Sequence, residues 1–156
     1  MTGEDAARMV RKERIYLQNI LKDFKAEQGD FRPAEGMMNV AQQVYHIAHT
    51  VRWFREGAFG EGFNMDFEAL EAVNQAPVSL EEAMGVLDKE YDSYAAFLEG
   101  QSEADLAAPI PPNPVFGEAP RFVVIFAQMD HTAHHRGSLA VYLRLLGVKP
   151  TMIYEE

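Results

Sequence analysis

The sequence contains no cysteine. That excludes disulfides, thiolate zinc sites, iron–sulfur clusters and a protein thiol nucleophile. Any metal must be held by nitrogen and oxygen donors, and any thiol chemistry needs a small-molecule thiol. Positive charge is scarce as well: 14 Lys and Arg stand against 24 Asp and Glu, a net charge of −10. Such a surface repels phosphate backbones and anionic headgroups, so neither nucleic acid nor a membrane surface is an expected partner. No apolar run approaches the ~18 residues that suggest a membrane-spanning helix. The N-terminus, Met1-Thr2-Gly3-Glu4-Asp5, is polar and acidic and lacks the apolar core of a secretory signal. A cytoplasmic protein is the resulting expectation. Also missing are a Gly-rich phosphate loop, a Ser-His-Asp ordering and a basic patch with interleaved aromatics.

What is present suits a globular enzyme-sized domain. With 156 residues, 47% hydrophobic and 24% charged, the chain is expected to form one domain over residues 1–156 with a substantial core. Helical periodicity runs through most of it. Ala6, Met9, Val10, Ile15, Leu17, Ile20, Leu21 and Phe24 form an apolar band that predicts a first helix over about residues 4–28, ended by Gly29-Asp30. Residues 31–36 read as a loop. Val40, Val44, Ile47, Val51 and Phe54 recur at steps of four and three and predict a second helix over about 38–57, closed by Gly57, Gly60 and Gly62. A short helix is expected between Asp66 and Val73.

Ser79 with Glu82 matches a capping box and opens a third long helix, with Leu80, Met84, Leu87, Tyr91, Tyr94 and Leu98 on one face. Ser102 with Asp105 marks another short turn. The run from Pro109 to Pro120, with Pro111, Pro112 and Pro114 inside it, predicts an extended, partly rigid crossover. A fourth helix follows over about 120–146, with Gly147 just past its end and Pro150 blocking continuation. Four long helices without a strand or a repeat predict an all-α four-helix bundle with long connections.

The chemistry concentrates in the last helix. His131 and His135 stand four apart and so share one helical face, the spacing by which a helix offers two imidazoles to one metal ion. They fall on a line with Val124, Gln128, Ser138, Tyr142 and Leu145, the spacing of a seam that faces partner helices. A buried imidazole pair is costly unless hydrogen-bonded or metallated. On the second helix His46 belongs to the row Asn39, Gln43, His46, Thr50, Trp53, which reads equally as a surface row or as the lining of a polar cleft. His134 lies on a different flank and reads as a supporting or packing residue. His49 points further from the apolar stripe, toward the surface. Gln43, His49, Thr50, Trp53, Gln128, His134 and Tyr142 are the candidates for the pocket or for support of the ligands. A three-histidine site would leave coordination positions open for water or a substrate, and imidazoles suit zinc, nickel, copper or iron.

The run from His131 to Pro150, HTAHHRGSLAVYLRLLGVKP, resembles the C-terminal signature of the DinB/YfiT-like superfamily, and Val44-Tyr45-His46-Ile47-Ala48-His49 resembles its second-helix histidine motif. The resemblance spans nearly the whole chain. It implies a four-helix bundle, commonly a homodimer, and a divalent metal, such as nickel, zinc or iron, held by His46, His131 and His135. It implies a small-molecule substrate and, as the leading activity, metal-dependent transfer of a low-molecular-weight thiol to an electrophile. Metal-dependent hydrolysis and a non-enzymatic, stress-related binding or structural role are the alternatives. Gly137 stands where the iron-dependent sulfoxide synthase type carries a glutamate, which disfavours that oxygen-activating branch.

Overall fold

The computed structural model describes residues 1–155. Six helices form, α1 (Gly3–Leu21), α2 (Val40–Phe59), α3 (Phe67–Asn74), α4 (Leu80–Glu99), α5 (Glu103–Ala107) and α6 (Arg121–Leu145), and no strand forms among the described residues. The four long ones pack around a ring in the order α1, α4, α2, α6. Long connections carrying the short helices join them, as periodicity and punctuation predict. No helix among the described residues is long and apolar enough to cross a membrane.

Local chemistry sets most boundaries. Thr2 with Asp5, Asn39 with Gln42, and Ser102 with Asp105 each form complete capping boxes at the starts of α1, α2 and α5. At Ser79 only half of the expected box forms: its hydroxyl accepts from the Glu82 amide, while the Glu82 side chain does not return. At the end of α6, Gly147 takes φ +78°, a left-handed conformation that a side chain would strain. Its amide donates to Arg144 and that of Val148 to Leu143, which together satisfy two of the last carbonyls.

The first helix is shorter than its apolar band suggests. It ends at Leu21, and a single 3₁₀ turn covers Ala26–Gln28. Asp23 is held by the backbone amide and hydroxyl of Thr151, and the chain must turn so that the Gly29 and Phe31 carbonyls can accept from the first amides of α2. Ile15, expected in the band, is 42% exposed, while Glu13 and Asn19 point inward. The proline-rich crossover is not simply extended. It doubles back on itself, with Pro109 opposite Pro120 and Asn113 opposite Gly117. The Asn113 and Gly117 backbones bond each other in both directions, and Gly117 makes the reversal at φ +63°. Gly57 does not close α2 but lies inside it, where the Phe63 ring packs so tightly that a Cβ would lie 2.2 Å from it.

The core is aliphatic and tyrosine-rich. Val44, Ile47 and Val51 of α2 meet Leu87, Tyr91 and Leu98 of α4 and Leu139 and Leu143 of α6. On α6 the inner line runs through Val124, Gln128, Thr132, His135, Leu139 and Tyr142. The predicted seam therefore drifts: Thr132 and Leu139 replace Ser138, and Leu145 is 60% exposed.

Candidate metal centre

Two neighbouring helices supply the histidines, His46 from α2 and His131 and His135 from α6. One ring nitrogen from each lies within 4.8 Å of the others. The Nε2 atoms of His46 and His131 are 3.2 Å apart. Ring centroids are separated by 5.0 Å for His46 and His131, and by 4.6 Å for His135 from each of the other two.

The second nitrogen of each ring is engaged. His46 Nδ1 meets Asn74 Oδ1 at 2.9 Å, His135 Nδ1 meets Gln43 Oε1 at 3.2 Å, and His131 Nδ1 meets Thr50 Oγ1 at 3.3 Å. Amide oxygens only accept, so Nδ1 donates to the first two. Thr50 turns its own proton toward the His46 and Ile47 carbonyls, leaving a lone pair for His131. Each ring is thus held in the tautomer whose Nε2 carries a lone pair and no proton.

Two lone pairs 3.2 Å apart repel unless a cation lies between them. Nitrogens that each sit 2.0–2.1 Å from one tetrahedral ion stand about 3.3 Å apart. The donor set and its spacing therefore fit a divalent ion, and the three imidazoles can hold one. Burial pushes the His135 ring down to about 3 and the His131 ring to about 4, with the neighbouring imidazoles adding to the shift. His46 is also lowered by burial, against the opposing pull of Asn74 and Glu71. All three are neutral at pH 7, the form in which imidazole binds metal.

Of the row Asn39, Gln43, His46, Thr50, Trp53, the last three line a cleft between α2 and α3, while Asn39 caps α2 and Gln43 is buried against His135. Trp53 walls the cleft and donates its Nε1–H to the Asn64 carbonyl at 2.7 Å. His49 is not turned to the surface as expected. It is half-buried with its ring edge-on to Tyr45, and its Nε2 is buried without a partner. α4 packs beside α2 and covers the flank that a lone helix would expose. His134 is exposed, with its ring edge-on to His135 at 5.0 Å, outside the group of three.

Two candidates belong elsewhere. Tyr142 donates to the Met38 carbonyl at 2.9 Å and packs against Phe31, so it anchors the loop before α2. Gln128 sits in a separate buried polar cluster. Its amide donates to Glu13 at 3.1 Å and Thr132 at 3.0 Å, and Tyr91 donates to Glu13 at 2.9 Å. The residue that sequence reasoning missed is Asn74. It sits at the end of α3, where no periodicity marks it, and only the packing of α3 on α2 brings it to His46.

The molecule is thus an all-α bundle with a histidine-only group fit for a metal, set beside a cleft. The model of the DinB superfamily matches residues 9–139, and the chain belongs to that superfamily. Among solved structures it is similar to a DinB-like protein from Bacillus subtilis, at 19% identity and a TM-score of 0.72, over 97% of this chain and 99% of that one. It is also similar to a DinB-like protein from Bacillus cereus, at 19% identity and a TM-score of 0.72, over 92% and 91% of the two chains. At that identity the likeness concerns the fold. No curated protein matches the sequence.

Proposed function

We propose that His46, His131 and His135 hold a divalent ion, nickel, zinc or iron, and that the protein is an enzyme transferring a low-molecular-weight thiol to a small electrophile. The observation that carries the metal half is the uniform orientation of the three rings: each Nδ1 is engaged by an oxygen, and the Nε2 atoms of His46 and His131 converge to 3.2 Å. Three protein ligands leave room for a further one, as in catalytic sites. A divalent ion there lowers the pKa of a thiol placed beside it, making a nucleophile at neutral pH. Asn74, Gln43 and Thr50 keep the rings aimed. The transfer half rests on the superfamily resemblance, and a chain with no thiol of its own is consistent with it. The cytoplasm, where small thiols are kept reduced, is the compartment that suits this chemistry.

The test is turnover of an activated aryl halide by zinc-, nickel- or iron-loaded protein with a panel of small thiols. Thiol-dependent turnover that disappears in His135→Ala is expected. No thiol-dependent rate with any of the metals sinks the transferase reading. Thiol-independent cleavage of an activated ester under the same conditions moves it to metal-dependent hydrolysis.

A homodimer is part of the same proposal. Val123, Phe126, Asp130, His134, Gly137, Val141 and Leu145 recur at steps of three and four along α6, all on its exposed side. Phe126 is 45% exposed and Val141 53%. A Cβ at Gly137 would meet nothing within 4 Å, so the middle of the stripe lets another helix approach closely. A second α6 crossing there would cover the stripe. Sedimentation should give a dimer for the native chain and a monomer for Val141→Glu. A native chain that sediments as a monomer at high protein concentration removes the dimer.

A further inference from the structure

The cleft beside the histidines has one wall that the bundle does not need. No side chain of α3 is fully buried, and the helix packs on α2. An amphipathic helix normally turns its apolar face to the core. Here Phe67, Leu70 and Val73 face a cavity of about 240 Å³ instead, opposite Trp53 and His49. Phe67 remains 56% exposed. Apolar surface left open to this extent beside a group of potential ligands calls for an apolar guest.

Size and charge narrow the guest. An apolar cavity of ~150 Å³ accommodates benzene, so this one takes a ring with a few further heavy atoms. Among the described residues Glu71 is the only charged side chain lining the cleft, and hydrogen bonds from Gln75 and Asn74 favour its ionised form. No Lys or Arg lines the cleft among the described residues. In the metal-free chain a carboxylate or phosphate entering it would meet a like charge and no counter-charge. His49 also lines the cleft, but its Nε2 is buried within the fold and offers the guest no polar contact.

We propose that this cleft is the binding site for a neutral, ring-sized apolar molecule with at most one small polar group, held between Trp53 and α3. In the transfer reaction this is the seat of the electrophile. That assignment to the electrophile rests on the metal-dependent reading; the cleft's preference for a neutral arene does not. Asn74 joins the two, since it lines the cleft and also orients His46.

Trp53 is the only tryptophan in the chain and stands in the cleft wall, so its emission reports occupancy directly. Benzyl alcohol and benzoate are titrated into the full chain, with and without zinc. Benzyl alcohol should change the emission saturably in both forms, and to the zinc-free chain benzoate should bind at least about tenfold more weakly, a gap of 1.4 kcal/mol. Leu70→Arg should weaken benzyl alcohol and strengthen benzoate, with helix content by circular dichroism showing the fold intact. Glu71→Gln, which leaves the cleft lining in place, should narrow the gap between the two ligands. The proposal is overturned if benzyl alcohol does not saturate, if benzoate binds the zinc-free native chain equally well, or if neither variant changes the ratio. Arene binding by a chain that takes up neither zinc, nickel nor iron overturns the metal reading and leaves the cleft assignment standing. Zinc uptake without arene binding does the reverse.

Discussion

Protein incubated with zinc or nickel and then desalted should retain about one ion per chain, and His135→Ala should retain almost none. His135 is the informative ligand because it is the most buried of the three, at 8% exposure, and its ring is pushed down to about 3. Its neutral form is therefore available at any physiological pH. Removing it leaves two imidazoles and a void where the third donor stood. Loss of a partner that only orients a ligand costs roughly 10–100-fold in metal affinity, so loss of a ligand should cost on the order of a thousandfold or more. The same scale sets a graded series. Gln43→Ala and Asn74→Ala free the Nδ1 atoms of His135 and His46, and each should weaken binding by ~10–100-fold without abolishing it. Titration calorimetry measures the series. A His135→Ala protein that binds with native affinity and stoichiometry would place the ion elsewhere.

Metal binding must also appear as stability, because an ion that binds only the folded chain stabilises it. At a hundredfold excess over the dissociation constant the gain is ~2.7 kcal/mol. The melting temperature of the native chain should rise with added zinc, and that of His135→Ala should stay flat. This readout needs no substrate.

The bundle was largely legible because its evidence is local. Steps of three and four in the apolar positions mark each long helix, and Ser79, Ser102 and Gly147 mark ends through hydrogen bonds within a few residues. The pair His131 and His135 was legible for the same reason, since one helix fixes their spacing. What was not legible depends on segments distant in sequence. His46 was undecided by spacing alone, because its polar row becomes a cleft only when α3 lies beside it. Asn74 carried no pattern at all, yet it holds His46. The end of α1 depends on Thr151, 128 residues beyond the Asp23 that it binds. Gln128 and Tyr142 lay on the expected seam of α6 but serve the core, because a helical line identifies a face and not the depth or neighbour at each turn. Glu13 was invisible for a related reason: a charged residue between apolar ones reads as the solvated edge of a helix, and only the packing of α4 and α6 encloses it.

That enclosed carboxyl carries the second large prediction: Glu13→Gln should stabilise the protein at pH 8 and do little at pH 5. Glu13 is 3% exposed. Tyr91 and Gln128 donate to its Oε2, while its Oε1 and the Oε1 of Gln128 are both buried without a partner. Tyr94 adds a buried hydroxyl without a partner, and from α6 only Arg136 brings a nearby positive charge. Burial outweighs the donors and raises the Glu13 carboxyl from 4.5 to about 7. Because the folded state holds this proton more tightly than the unfolded chain, stability from this group is complete below about pH 4.5 and is lost progressively as the pH rises through about 7. At 1.36 kcal/mol per unit, the loss at pH 8 is roughly 3 kcal/mol. An amide in place of the carboxyl never ionises, still accepts from Tyr91, and brings an N–H that Gln128 Oε1 can accept. The variant should therefore melt roughly 6–12 °C above the native chain at pH 8, and the difference should shrink below about 1 kcal/mol at pH 5. Glu13→Ala separates charge from hydrogen bonding: it leaves the Tyr91 and Gln128 donors unmatched and should destabilise at both pH values. A Glu13→Gln effect of equal size at pH 5 and pH 8 would mean that the carboxyl does not titrate in this range, and that the α1–α4–α6 core holds it charged.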